Sequence, residues 1–323
     1  MRLVSFGVGG EERLGLWQDS VIYDAAAITG LWVRECGCSV GAAVPADALA
    51  FLRLGQQGVE VLGQAAEYVA SLGLEGADAT GYVHRPDQVR LGPPLRRPGK
   101  IICLAGNYAE HVREGGREAY GREETTPWLF LKPHTTIIGP EEPICLPERL
   151  GVDVDWECEL GVVMGAKCRG VRAADALGHV AGYTVFNDIS ARRIEAPLER
   201  KLRDRDPFHD WLHGKWFDTF GPMGPCIALR DEIPDPQALH LELRYNGEVR
   251  QSASTEQMIY SVAEIIEFVS AIVTLEPGDV ISTGTPSGIG RTTGTFLKDG
   301  DVLAAEIERI GVLRNPGVRG CRR

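Results

Sequence analysis

The stretch VDVDWECELGVVMG, Val152 to Gly165, carries a carboxylate at every second position in its first half. Read as one strand, it puts Asp153, Asp155, Glu157 and Glu159 on one face and Val154, Trp156, Cys158 and Leu160 on the other. Carboxylates at about 7 Å spacing repel one another unless a cation or solvent relieves them. Glu157 and Glu159 directly precede an apolar run, where a strand enters a core. A pair placed there suits a hard, oxygen-seeking cation such as magnesium. A solvated acidic face on an amphipathic strand gives the same pattern. A third carboxylate, Asp188, ends the strand-like run GYTVFND; it is either a ligand at a strand end or a turn former after Asn187.

A second group lies in GNYAEHVREGG, Gly106 to Gly116. Gly106 or Asn107 would start a short helix, on which His111 and Glu114, three apart, share a face. A carboxylate beside an imidazole fixes its tautomer and favours its protonated form, which makes a general base for water. Glycines at 115, 116 and 121 would let such a helix move as a lid, while an exposed His–Glu pair of no consequence has the same spacing. Lys132 in FLKP and Lys215 in HGKWFDTFGP sit among apolar and aromatic neighbours, so each either reaches the surface or points its charge into a pocket. The loop STGTPSGIG, Ser282 to Gly290, offers backbone N–H groups and the Thr285 hydroxyl to an anion, or is a tight turn. It matches neither the dinucleotide fingerprint nor the P-loop.

The elements that must position these residues fall into two textures. Residues 1–95 read as a small α/β accessory domain: strand-like runs in MRLVSFGVGG and GLWQDSVIYDAAA, then helical spacing in VPADALAFLRLG and GVEVLGQAAEYVASLG. The Pro- and Arg-containing segment 91–100 reads as a linker. Residues 96–323 alternate short β-rich runs with Gly/Pro turns, which predicts a mainly β (α+β) catalytic domain. One helix stands out at SVAEIIEFVSAIVTL, with Ser261 as N-cap and Glu264 completing a capping box.

A net charge of −11 argues against a nucleic-acid binder. The most basic stretch, Arg192 to Arg205, also holds Glu195, Glu199 and Asp204 and reads as mixed and solvated. No signal-peptide core opens the chain, and no apolar run approaches the roughly 18 residues of a membrane span. Eight scattered cysteines without C-x-x-C spacing suggest free thiols in a reducing cytoplasm, with Cys36-Gly-Cys38 a remote zinc alternative.

In this order, KIICLAGNYAEH, PWLFLKP, DWECELGVVMG, AGYTVFNDISAR, GKWFDTFGPMGP, YNGEVRQ, MIYSVAEIIEFVS and LEPGDVISTGTPSGIG resemble the fumarylacetoacetate hydrolase (FAH) family from about Lys100 to Val312. The resemblance implies a mixed β-roll catalytic domain, usually dimeric, with Mg2+ or Mn2+ held by Glu157, Glu159 and Asp188. It implies a general-base pair of His111 and Glu114 on a lid. It further implies that Arg192, Lys215 and Thr285 contact substrate or its developing oxyanion, with Lys132 lining the pocket. The chain departs from the family at Arg193 and Glu195, where members usually carry Asp and Gln; in family hydrolases that Gln helps hold the oxyanion or water. The expected activity is hydrolysis of a C–C bond in a 2,4-dioxo acid of acylpyruvate type, with Lys215 and the metal stabilising the enolate. Alternatives are decarboxylation of a β-oxo acid, isomerisation of a hydroxymuconate-type acid at the same site, or a metal-binding relative without catalysis. The expected partner is a small 2-oxo acid.

Overall fold

The computed structural model describes residues 1–37, 43–73, 81–195 and 200–321. Three antiparallel strands, Arg2–Val8, Glu11–Gln18 and Val21–Asp24, open the chain, followed by helices Ala25–Cys36, Ala48–Leu52 and Gly55–Ser71. Asp24 caps the first helix by accepting from the Ala27 N–H at 3.0 Å. The first strand does not end in a sheet of its own. Leu3 pairs with Ile227 and Arg2 with Ala228, which joins the N-terminal meander to a sheet of 12 strands.

That sheet positions the chemistry. From Arg2–Val8 it runs through Gly221–Leu229, Val180–Asn187, Cys158–Met164, Val280–Ser282 and Ile101–Ala105 to the edge strand Trp128–Leu131. A five-stranded sheet and a two-stranded ladder, Leu150–Asp155 with Ser190–Glu195, complete a mainly β fold. The strand Cys158–Met164 is buried at all seven positions. One face, Cys158, Leu160, Val162 and Met164, enters the larger core; Val163 on the other packs with Ile101, Phe130 and Phe186. The helix Val262–Ile272 forms with the expected capping box of Ser261 and Glu264.

Several local expectations are corrected. The acidic stretch is two strands, Leu150–Asp155 and Cys158–Met164, broken at Trp156–Glu157. Asp153 takes a left-handed backbone (φ 57°) and pairs at the surface with Arg193, so the four carboxylates do not share a face. The alternation rule fails because the chain leaves one sheet and enters another between Asp155 and Cys158. The short helix Ala109–Glu114 starts from Tyr108, not from Gly106 or Asn107. The segment 91–100 is partly packed, with Pro93, Pro94 and Leu95 buried. Cys145 and Cys321 form a disulfide because parallel pairing of Ile144–Leu146 with Gly311–Arg319 brings the chain end beside Cys145. Cys36, Cys103, Cys158, Cys168 and Cys226 are free thiols, and Cys38 lies outside the described residues. Among the described residues no helix is long and apolar enough to cross a membrane.

Candidate active site

Glu159 projects from the strand Cys158–Met164, Glu157 from the two-residue break before it, and Asp188 from the first position past the neighbouring strand Val180–Asn187. Antiparallel pairing of Cys158 with Asn187 fixes how the two strand ends meet. The Asn187 side chain accepts from the Glu157 N–H at 3.0 Å, and the Asp188 N–H donates to the Glu157 carbonyl at 2.8 Å. Ligand oxygens of the three carboxylates therefore lie within 4.8 Å of one another. Glu157, Glu159 and Asp188 are 6%, 1% and 0% exposed.

Burying three carboxylates together is costly unless cations face them. Lys132 Nζ donates to Asp188 Oδ1 at 2.5 Å, and Lys215 Nζ bridges Glu157 Oε2 (2.7 Å) and Asp188 Oδ2 (2.5 Å). Both lysines are buried and neither reaches the surface. The Arg192 side chain is only 8% exposed, contrary to a solvated basic segment, and joins Asp155 (2.8 Å) to Glu157 (2.6 Å). Burial opposes the charge on Glu157, but Lys215 and Arg192 outweigh it and hold its carboxyl well below the usual range. Burial likewise opposes the Lys215 charge, yet Asp188 and Glu157 push it up to about 12.

Glu159 is different. Its Oε2 accepts from the Ser282 hydroxyl (2.5 Å) and the Gly284 N–H (2.8 Å), but its buried Oε1 has no partner. Burial, then Asp188 and Glu157, push this carboxyl well above its ordinary value. An orphaned buried oxygen in a cluster of three carboxylates fits a hard cation, and an all-oxygen donor set suits a divalent ion of the Mg2+ or Mn2+ type.

The His111–Glu114 pair forms as expected, Nδ1 to Oε1 at 2.8 Å, with side chains 13% and 18% exposed. Glu114 Oε2 accepts from the Gly288 N–H (2.9 Å) and the Thr292 hydroxyl (3.2 Å). Burial works to raise this carboxyl, but the His111 and Gly288 hydrogen bonds overcome it and it sits below the usual range. His111 is close enough to the triad for its positive form to lower Glu157 further. Two glycines serve this geometry. Gly284 (φ +91°) would bring a Cβ within 2.8 Å of Asn107, and Gly288 (φ +99°) within 2.0 Å of the Arg250 carbonyl, so neither backbone admits a side chain.

Thr285 lies beside the cluster, but its hydroxyl donates to the Cys158 carbonyl (3.0 Å) and accepts from Gln251 (2.8 Å). Three residues not among the sequence-predicted site residues support the site. Gln251 ties the Cys158 N–H to Thr285 and the Pro286 carbonyl. Asn107 clamps Tyr260 and the Thr283 carbonyl immediately ahead of the His111 helix. Ser282 binds Glu159. All three lie within or beside stretches whose order resembles the family, the one signal that marked them. Glu195, the departure from the expected Gln, is 52% exposed and engaged with Arg193 at the surface.

A mainly β fold with a buried Glu–Glu–Asp cradle suited to a divalent metal, together with an imidazole–carboxylate pair, has the makings of an enzyme site. Residues 100–318 match the fumarylacetoacetate (FAA) hydrolase C-terminal family model, and the chain belongs to that family of enzymes. The mitochondrial oxaloacetate tautomerase FAHD2A of Bos taurus is 43% identical over 230 residues, 71% of this chain and 69% of that protein. A Pyrococcus abyssi protein is 46% identical over 217 residues, 67% of this chain and 89% of that one. Fumarylacetoacetate hydrolase from Exiguobacterium antarcticum superposes with a TM-score of 0.75 at 31% identity, covering 99% of each chain. Maleylpyruvate hydrolase from Sphingobium sp. SYK-6, in complex with manganese(II) and pyruvate, gives 0.72 at 30% identity, covering 99% of this chain and 100% of the other.

Proposed function

We propose that this enzyme forms and reprotonates the enolate of a short 2-oxo dicarboxylic acid of the oxaloacetate class, with Mg2+ or Mn2+ in the acidic cradle and keto–enol interconversion as the reaction. The observation that carries this reading is an imidazole with Nδ1 engaged by Glu114, which the 288–292 segment, Asp155 and Arg192 link by hydrogen bonds to Glu157 of the triad. Glu157, Glu159 and Asp188 would hold a divalent ion, which would supply positive charge to offset that of an enolate. Glu114 holds the proton on His111 Nδ1, which leaves Nε2 of the neutral ring free to accept the C3 proton as the C2=C3 bond forms. In the ketonising direction the enol O–H gives up its proton to solvent and C3 takes one from the protonated Nε2, so that C2=C3 becomes C2=O. Lys215, kept charged by Asp188 and Glu157, offsets the developing enolate charge. Lys132 and Arg192 hold Asp188 and Glu157 in place. The 43% identity to an oxaloacetate tautomerase over 230 residues supports the substrate class.

Hydrolysis of an acylpyruvate-type C–C bond is the second reading. His111 would deprotonate water, the hydroxide would attack the 4-carbonyl, and the same enolate would leave. The likeness to maleylpyruvate hydrolase over nearly the whole chain favours it. Glu195 weighs against it, because the side chain at the position of the water- or oxyanion-holding Gln is committed to Arg193 at the surface. The test presents metal-loaded protein with enol-oxaloacetate, oxaloacetate and an acylpyruvate side by side. Decay of the enol absorbance far faster than pyruvate release supports tautomerisation. Rapid stoichiometric cleavage of the acylpyruvate would replace it with the hydrolytic reading, and no acceleration of any of the three would remove both.

A further inference from the structure

We infer that Asp155 is a positioning residue that holds the His111–Glu114 pair in register with the acidic triad, acting on one side through residues 288–292, where the chain turns into the short helix Gly290–Thr293, and through Arg192 on the other. The inference rests on the proposed role of His111 and Glu114.

Asp155 is fully buried and is not one of the three cradle carboxylates. Its oxygens meet four donors. Oδ1 accepts from the N–H groups of Trp156 (2.7 Å) and Gly290 (2.6 Å); Oδ2 accepts from the Arg291 N–H (2.9 Å) and Arg192 Nε (2.8 Å). Four donors on one buried carboxylate are what its burial demands, and each is charge-assisted. The two arms lead to opposite sides of the site. Arg192 passes on to Glu157 Oε1 at 2.6 Å. The turn seated on Asp155 presents the Gly288 N–H and the Thr292 hydroxyl to Glu114 Oε2, while the Gly288 carbonyl accepts from Trp156 Nε1 at 3.3 Å. One carboxylate thus fixes both the turn that orients the base and the guanidinium that orients a cradle residue. Neutralising it frees the turn and leaves Arg192 to Glu157 alone.

The test uses the full chain with Asp155→Asn, alone and combined with Glu114→Gln. In the metal-free protein, amide exchange at 288–292 and in helix Ala109–Glu114 should accelerate about tenfold or more, while helix Val262–Ile272 stays protected. In the loaded enzyme kcat should fall about tenfold or more, and this loss should shrink to within about twofold in the Glu114→Gln background, because contacts acting through one group do not add. Unchanged exchange in 109–114, or losses that multiply across the two variants, would overturn the inference. If Asp155→Asn fails to fold, Thr292→Val decides by the same criteria, with a severalfold loss of kcat expected only when Glu114 is present. The exchange measurement involves neither metal nor substrate. Faster exchange in Asp155→Asn together with wild-type turnover in Glu114→Gln would retain the coupling and remove the proposed general base.

Discussion

The two halves of the site are built differently. The cradle sits at the ends of adjacent strands of a large sheet, its three carboxylates buried and two of them, Glu157 and Asp188, tied to lysines that are themselves buried. The base pair sits on a helix of six residues, partly open to solvent, steered by a turn that arrives from 174 residues away in sequence. A sheet supplies geometry that no single contact controls, whereas a short helix takes its position from a few hydrogen bonds. Damage to the cradle should therefore remove metal binding and turnover together, and damage to the pair should remove turnover alone.

The largest effect is expected from Glu159→Ala, which should abolish Mn2+ binding in calorimetry along with activity; retained binding would break the comparison. His111→Ala should keep metal affinity while turnover falls about 10²- to 10⁴-fold. Near-wild-type turnover in that variant would discard the base assignment. Ser282→Ala removes a donor to Glu159 and should weaken divalent binding about 10- to 100-fold, read from the titration midpoint. A smaller, pH-dependent effect concerns Glu114. Its folded value is depressed, so its contribution to stability is fully present above the ordinary glutamate value of 4.5 and is lost as pH falls through the lower folded value. Glu114→Gln should flatten that part of the acid limb in melting experiments, and an unchanged limb would show that the carboxylate contributes nothing there. The smallest effect should come from Arg193→Ala, whose exposed pairs with Asp153 and Glu195 should leave melting temperature and turnover as they are. A clear activity loss would return position 195 to the reaction.

Much of this site was legible because its chemistry is local. Glu157 and Glu159 stand two apart before an apolar run, Asp188 directly follows a strand, and His111 and Glu114 share a helix face. The capping box at Ser261 and Glu264 was readable for the same reason. What sequence did not reveal is non-local. The break after Asp155 depends on which sheet each half joins, and periodicity cannot report that. The partners of Arg192, Thr285 and Gln251 lie 37, 127 and 93 residues away for Asp155, Cys158 and Cys158 respectively. The Cys145–Cys321 bridge spans 176 residues and arises from strand pairing alone.

The pairing of Leu3 with Ile227 bears on how this molecule can be dissected. A fragment begun near residue 96 would leave part of Gly221–Leu229 with bare backbone donors and acceptors, an adhesive edge for neighbouring chains. It would also strip Leu3, Leu14 and Ile28 from Phe130, Val163 and Phe186, with which they share a core. Such a fragment should accumulate as insoluble aggregate even though every cradle residue is retained.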